Sequence, residues 1–326
     1  MENIIKPKVY IAKKISKEAE DYIGEFCDYD KWDSDKRITR TELLNKLGDK
    51  EGVLLSGIKI DEELLHHASK LRVVSDASVG YDNFDLKVMK EKNIIGTNTP
   101  SVLDNTVADL IFGLMLSTAR RISELDNYVK DGRWTAEDDK NLFGVNVHHT
   151  TLGIIGMGRI GEVVAKRGKL GFDMDVIYNN RNRKPEIEEN LGVKYCDFDL
   201  LLQKSDFIVL MTPLTKDTYH LIDFAEFKMM KESAIFINAS RGETINEQAL
   251  IEALQNKKIF GAGLDVYEKG IVGSKSLLLK MSNVVTLPHI GSAVEETRND
   301  MSMLAAKNLV QALLGETPVN LVSELK

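Results

Sequence analysis

The run Thr151-Leu152-Gly153-Ile154-Ile155-Gly156-Met157-Gly158-Arg159-Ile160-Gly161 decides the fold. Residues 151–155 form a short apolar run, which reads as a parallel strand buried on both faces. Three glycines follow at G-x-G-x-x-G spacing, and the residues after them open a helix. Such a glycine motif is weak alone; a strand before it and a helix after it make it a dinucleotide-binding turn. Gly156 permits the tight turn, Gly158 has no side chain to block a pyrophosphate, and Gly161 lets helix pack closely on strand. Arg159 and Ile160 lie at the helix start, where amide N–H groups and partial positive charge favour phosphates.

The alternation continues outward from this turn. Downstream, residues 175–178, 207–211, 234–238, 261–265 and 283–287 repeat the strand pattern with helical spacing between them. Six strands with intervening helices are what a doubly wound dinucleotide fold requires. Upstream, residues 8–12, 52–56, 71–75 and 93–96 read as strands, and 41–47 and 61–69 read as helices, which implies a second parallel sheet. Asn98-Thr99-Pro100 interrupts that pattern, and Asp104-Asn105-Thr106 offers caps for a long apolar helix ending at Arg120-Arg121. The spacing predicts a last helix over 294–314, stopped by Gly315, that leads the chain back to the first domain. The expected organisation is α/β, with two doubly wound parallel-sheet domains: 1–103 plus 296–326, and 104–295.

Composition bounds the partners. The 326 residues suit two domains, and 43% apolar with 29% charged residues is ordinary for a globular protein. A net charge of −7 argues against a general nucleic-acid binder. Cys27 and Cys196 are far apart and show no metal-type spacing, so reduced thiols are the simpler reading. The first residues, Met-Glu-Asn-Ile-Ile-Lys-Pro-Lys, place charges where a signal peptide needs an apolar core. The most apolar stretch, 107–116, is interrupted by Asp109 and too short to cross a bilayer. A cytoplasmic protein without membrane or nucleic-acid partner is the expectation. The consecutive His66-His67 and His148-His149 pairs and His220 form no metal constellation, and no metal is expected.

The second strand of the glycine-motif domain ends in Ile177-Tyr178-Asn179-Asn180-Arg181. Sites that prefer NAD usually place a carboxylate there for the adenine ribose. No Asp or Glu lies between Val176 and Lys184; Asn179, Asn180, Arg181 and Arg183 stand there instead. Without a carboxylate a 2′-phosphate is not repelled, and an arginine fork gives it a partner. NADP(H) is therefore the expected cofactor, with NAD(H) second.

Further motifs occur in order along nearly the whole chain: Val79-Gly80-Tyr81-Asp82-Asn83, Asn98-Thr99-Pro100, Thr212-Pro213-Leu214-Thr215, Asn238-Ala239-Ser240-Arg241-Gly242, Gly261-Ala262-Gly263-Leu264-Asp265-Val266 and Pro288-His289-Ile290-Gly291-Ser292. With them the chain resembles the D-isomer-specific 2-hydroxyacid dehydrogenases, nearest the glyoxylate/hydroxypyruvate and 2-ketogluconate reductase branch. The resemblance implies a flavodoxin-like substrate domain and a Rossmann domain with the active-site cleft between them, and a hydride transfer between NADP(H) and a small 2-keto or 2-hydroxy acid of D configuration. It implies that Arg241 and the amides of Val79 and Gly80 hold the substrate carboxylate, and that His289 delivers a proton to the oxygen. Both roles make chemical sense, because a guanidinium matches a carboxylate and an imidazole titrates near neutrality. By the same resemblance Asp265 bonds the nicotinamide carboxamide, and Thr212, Pro213, Ala239, Ser240 and Gly291 line the cofactor site. The apolar helix from Asp104 becomes a candidate homodimer element.

One departure stands out. After Asp265 the family continues to a Glu-Pro pair whose glutamate supports the catalytic histidine. Here the run is Asp265-Val266-Tyr267-Glu268-Lys269-Gly270-Ile271, with Gly270 at the glutamate position. Without that carboxylate His289 is expected to be less basic and less firmly held. Glu268, two residues upstream, is the candidate substitute. The alternative to a working reductase is a catalytically weak cofactor-binding redox sensor or interaction module of the same fold.

Overall fold

The computed structural model describes residues 6–326. The stretch 1–5, which belongs to the run whose charges argue against a signal-peptide core, lies outside the described residues. The chain divides into two units, one running to Leu103 and resuming over Ser292–Lys326, the other Asp104–Gly291. The return crossing sits four residues ahead of the expected one. Ile290 and Gly291 are hydrogen-bonded within the second unit, whereas Ser292 accepts from Arg298 in the first.

The first unit contains β1 (Lys8–Ile11), α1 (Lys17–Phe26), β2 (Asp28–Lys31), α2 (Arg40–Leu47), β3 (Gly52–Leu55), α3 (Glu62–His67), β4 (Val73–Asp76), α4 (Leu86–Glu91) and β5 (Ile95–Thr97). Its strands pair in the parallel order β2-β1-β3-β4-β5, the flavodoxin-like arrangement. Alternation within each strand feeds two cores. Tyr10, Val53, Leu55 and Val74 pack on one face, and Val9, Ile11, Leu54 and Val73 on the other. Each such buried side chain contributes about 1.5–3 kcal/mol against exposure. Strand β2 escapes the sequence reading because Asp28-Tyr29-Asp30-Lys31 is polar; it sits at a sheet edge, where charge discourages further pairing.

The second unit contains α5 (Asp104–Ala119), α6 (Ile122–Lys130), β6 (Thr151–Ile155), α7 (Arg159–Gly171), β7 (Asp175–Asn179), α8 (Pro185–Leu191), β8 (Lys194–Tyr195), α9 (Phe198–Lys204), β9 (Phe207–Leu210), α10 (Phe224–Met229), β10 (Ile235–Asn238), α11 (Glu247–Gln255), β11 (Gly261–Leu264) and β12 (Val284–Thr286). The sheet is parallel throughout, in the order β12-β11-β10-β9-β6-β7-β8. The strand order reverses between β6 and β9, and ligands of open α/β sheets bind outside the C-terminal ends of the strands at such a point. The two-residue β8 was not legible in the sequence.

The last helix, α12 (Glu295–Leu313), belongs to the first unit. Ser75 Oγ donates to the Ala305 carbonyl at 2.8 Å, and a Cβ on Gly52 would come within 2.9 Å of Leu309 Cδ1. The helix ends beside Gly315, whose φ of +83° suits glycine at a helix C-terminus. Helix α5, the expected dimer element, spends Val107, Ile111, Leu114 and Met115 on its own unit, packing on α7, β10 and β11. Among the described residues no helix is long and apolar enough to cross a membrane, and no group of three or more metal-ligating side chains occurs.

Candidate active site

The glycine turn has the geometry its spacing implies. Gly156 adopts φ +101°, and a Cβ there would stand 2.6 Å from the Met211 carbonyl oxygen. A Cβ on Gly161 would lie 2.4 Å from the Gly156 oxygen, so α7 seats directly on the turn. At Gly158 an added Cβ meets nothing within 4 Å. That open face lies at the N-terminus of the 13-residue helix α7, where partial positive charge awaits an anion. The Arg159 side chain turns aside to Asp104, with Nε 3.2 Å from the carboxylate. Burial pushes the Asp104 carboxyl above the usual range, and the Arg159 cation opposes that shift.

At the end of β7 the two arginines separate. Arg183 donates through Nε and Nη2 to Glu188, at 2.8 and 2.6 Å, while Tyr178 holds the same carboxylate from its hydroxyl. The guanidinium of Arg183 is therefore committed to Glu188 of the helix that follows it, α8. Arg181 is exposed and has no ion-pair or hydrogen-bond partner among the described residues. Asn180 folds its amide onto the Asn182 carbonyl. Across the strand ends, the Thr212 hydroxyl oxygen is buried without a partner, and Thr218 braces the Pro213 carbonyl at 2.6 Å. An open helix terminus, an unpaired cation at the second strand and an orphaned hydroxyl at the fourth suit a phosphorylated dinucleotide.

Arg241 follows β10 in a tightly tied turn. Its carbonyl accepts from Asn238 Nδ2 and Thr244 Oγ1, and Ser240 is held through its amide and hydroxyl on Asn238 Oδ1. Ala239 lies between these anchored residues. Gly242 touches the segment after β11 so closely that a Cβ would fall 1.9 Å from the Tyr267 carbonyl. The two strand-end segments are thus locked together, which fixes the root of the Arg241 side chain.

His289 occupies the left-handed region at φ +55°, a strain of about 1–3 kcal/mol for a residue other than glycine. The Asp265 carboxylate counters it. Oδ1 accepts from the Ile290 amide at 2.7 Å and Oδ2 from the Gly291 amide at 2.8 Å. A Cβ on Gly291 would stand 3.2 Å from Asp265 Oδ2, so glycine permits the approach. Asp265 is fully buried; burial raises its carboxyl above the usual range, while the two amides and the nearby His289 pull it down. Its position marks it as a clamp on the histidine segment, and a bond to a carboxamide would have to use its remaining lone pairs.

The expected rescue by Glu268 meets a different arrangement. Its Oε1 is bonded to His220 Nε2 at 2.8 Å and its Oε2 accepts the Glu247 amide at 3.2 Å. Tyr219 stacks on the His220 ring at 4.1 Å. Swinging to His289 would break both bonds, so the structure assigns Glu268 to tying three strand-end segments together. Nothing in the sequence marked His220 as its partner, because the two lie 48 positions apart. Gly270 has φ +74° in a turn closed onto the Tyr267 carbonyl, and an added Cβ meets open space.

In the first unit, Val79 and Gly80 follow β4. The Val79 carbonyl accepts from Asn98 Nδ2 at 2.8 Å. Neither the Val79 nor the Gly80 amide has an acceptor among the described residues. Two adjacent free donors on a braced turn suit an oxyanion.

The clamp makes a test. Asp265→Asn leaves one of the two amides facing a donor, so stability should fall by about 1–3 kcal/mol in chemical denaturation. Release of the His289 segment should lower kcat about a hundredfold. Unchanged stability and rate would remove the clamp from the account.

Comparison with known proteins places this geometry. The profile of the D-isomer specific 2-hydroxyacid dehydrogenase NAD binding domain matches residues 112–291. Glyoxylate/hydroxypyruvate reductase B of Klebsiella pneumoniae is 50% identical over 273 residues, 84% of each chain. Among solved structures, a glyoxylate reductase from Paecilomyes thermophila is 30% identical with a TM-score of 0.88, covering 98% of this chain and 99% of its own. An NADPH-dependent glyoxylate/hydroxypyruvate reductase from Sinorhizobium meliloti, solved with NADP and malonate, is 30% identical with a TM-score of 0.85, covering 98% of both chains. Together with the glycine turn, the anchored Arg241 and the clamped His289, these matches make the chain a member of the D-isomer specific 2-hydroxyacid dehydrogenase family.

Proposed function

We propose that the protein is an NADP(H)-dependent reductase of small 2-keto acids of the glyoxylate and hydroxypyruvate type, yielding D-2-hydroxy acids. The observation that carries the cofactor choice is Arg181, an unpaired guanidinium at the end of a strand that offers no carboxylate. In this reading Arg181 and Asn180 take the 2′-phosphate, and the α7 terminus at Gly158 takes the pyrophosphate. Thr212, Pro213, Ala239 and Ser240 line the nicotinamide half. When bound, the dihydronicotinamide supplies the hydride. Arg241 anchors the acid's carboxylate and polarises the neighbouring carbonyl, and His289 donates the proton that the oxygen needs. In the first unit, the Val79 and Gly80 amides are further donors for a carboxylate. The free thiols of Cys27 and Cys196 fit a reducing cytoplasm.

Glyoxylate and hydroxypyruvate should be turned over with NADPH in preference to NADH. Arg181→Gln should lower the NADPH-to-NADH ratio of kcat/KM about 10–100-fold, the worth of a charge-assisted hydrogen bond. Arg183→Gln, removing a guanidinium already held by Glu188, should move it less than threefold. An NADH preference in the parent protein would remove the cofactor reading, and no turnover of any 2-keto acid would remove the activity.

Gly270→Glu tests the missing carboxylate. The side chain has room but must adopt a left-handed backbone, at a cost of about 1–2 kcal/mol. A carboxylate near His289 favours the protonated imidazole, so kcat should rise most at pH 7 and above. A flat response across pH would show that His289 needs no such support.

A homodimer remains the proposed assembly. Its support is a set of exposed apolar side chains in α6 and the segment after it, namely Ile122, Val129, Trp134 and Phe143. Light scattering should give twice the chain mass, and Trp134→Ser with Phe143→Ser should lower it; a monomer in the parent protein refutes the pairing.

A further inference from the structure

Two partly buried cations of the first unit keep donors without a partner among the described residues. Lys13 lies two residues past the end of β1, half-buried, and its ammonium has no hydrogen-bond or ion-pair partner among the described residues. Arg298 stands in the first turn of α12 and donates through Nε to the Ser292 carbonyl at 2.9 Å. Both of its terminal nitrogens lack a partner among the described residues.

Packing of α12 fixes where Arg298 stands. Ala305 lies level with Ser75 in β4, and Leu309 and Leu313 lie over Gly52 at the start of β3. The helix therefore runs from the C-terminal rim of the sheet towards its N-terminal edge. Arg298 precedes Ala305 by seven residues, about 10 Å along the axis, which carries it to the rim. Lys13 leaves β1 at the same rim, and β3 alone separates β1 from β4, a span of about 10 Å. Three and four residues past the end of β4, on the segment leaving it, are the free amides of Val79 and Gly80.

The surrounding charge does not satisfy the pair. Asp76, fully buried at the end of β4, is the carboxylate that faces Lys13, but its Oδ1 accepts the Gly57 amide and its Oδ2 accepts Asn83 Nδ2, at 3.1 and 2.8 Å. Burial and the repulsion of Arg298 pull the Lys13 ammonium below its ordinary range, against the attraction of Asp76. Burial likewise lowers Arg298. Two half-buried cations that repel each other and keep free donors are stabilised by an anion placed between them.

We propose that Lys13 and Arg298 form an oxyanion subsite on the C-terminal rim of the first unit, beside the Val79–Gly80 amides, and that it selects 2-keto acids bearing a second negative group at the far end. This deepens the reductase reading, since the Val79–Gly80 amides would hold the near carboxylate of the same acid. The shared chemistry is a terminal carboxylate or phosphate, with the guanidinium as fork and the ammonium as point charge.

Dead-end complexes with the oxidised cofactor test it without turnover. Calorimetry on the NADP-loaded protein would compare glyoxylate, which has one charge, with oxaloacetate, 2-oxoglutarate and 3-phosphohydroxypyruvate. At least one of the doubly charged acids should bind about tenfold more tightly than glyoxylate, and which one it is separates carboxylate from phosphate. Lys13→Gln should abolish that preference, with Arg298→Gln as the second probe. Lys14→Gln, at an exposed neighbour paired with Asp35, should leave it intact. The proposal is overturned if the parent protein shows no preference for any doubly charged acid, or if the preference survives in both Lys13→Gln and Arg298→Gln. Turnover of glyoxylate with NADPH, measured alongside, reports on the reductase reading separately.

Discussion

Asp265 holds the chemistry of the second unit in register. Its two oxygens take the consecutive amides of Ile290 and Gly291, and so keep His289 in a left-handed conformation that a histidine does not adopt by preference. The clamp works because the carboxylate is buried. In low dielectric, charge-assisted hydrogen bonds strengthen, and an unmet amide there would be costly. Burial alone would drive the carboxyl towards its neutral form; the amides and the nearby imidazole oppose that. The two amide hydrogen bonds therefore offset both the strain at His289 and the cost of burying the Asp265 carboxylate.

The same economy governs the strand-end segments around it. Gly242 lies against the Tyr267 carbonyl, and Glu268 reaches both His220 and the Glu247 amide. These contacts tie the segments after β9, β10 and β11 to one another, and loops braced in this way hold reacting groups better than free ones. They also explain why Glu268 is a poor stand-in for the glutamate that family members carry at the position of Gly270. Its carboxylate already serves a structural pair, and moving it would loosen the ground under Arg241.

The cations of both units differ in one respect: some have their donors taken by a carboxylate, and others keep them free. Arg183 is spent on Glu188, and Arg159 leans on Asp104. Arg181, Lys13 and the terminal nitrogens of Arg298 are not spent. A count of basic residues could not make that distinction, since Arg181 and Arg183 read alike in the sequence. The net charge of −7 hides both such places, the one at Arg181 and the one shared by Lys13 and Arg298.

Apolar periodicity carried most of the architecture. The buried strands β1, β3, β4, β6, β7, β9, β10 and β11 announce themselves because both faces are covered and the residues are almost all apolar. The polar edge strands β2 and β8 do not, because half their surroundings are solvent and any residue is tolerated there. Glycine spacing specified the phosphate turn, since only residues without a Cβ fit the Met211 and Gly156 contacts. What only the tertiary structure decided were pairings between distant positions: Glu268 with His220, Asp265 with Ile290 and Gly291, and Lys13 with Arg298 across the end of a sheet. Local sequence determines which surfaces must be buried. It does not determine which polar groups meet once they are, because that depends on where strands far apart in the chain come to rest beside one another.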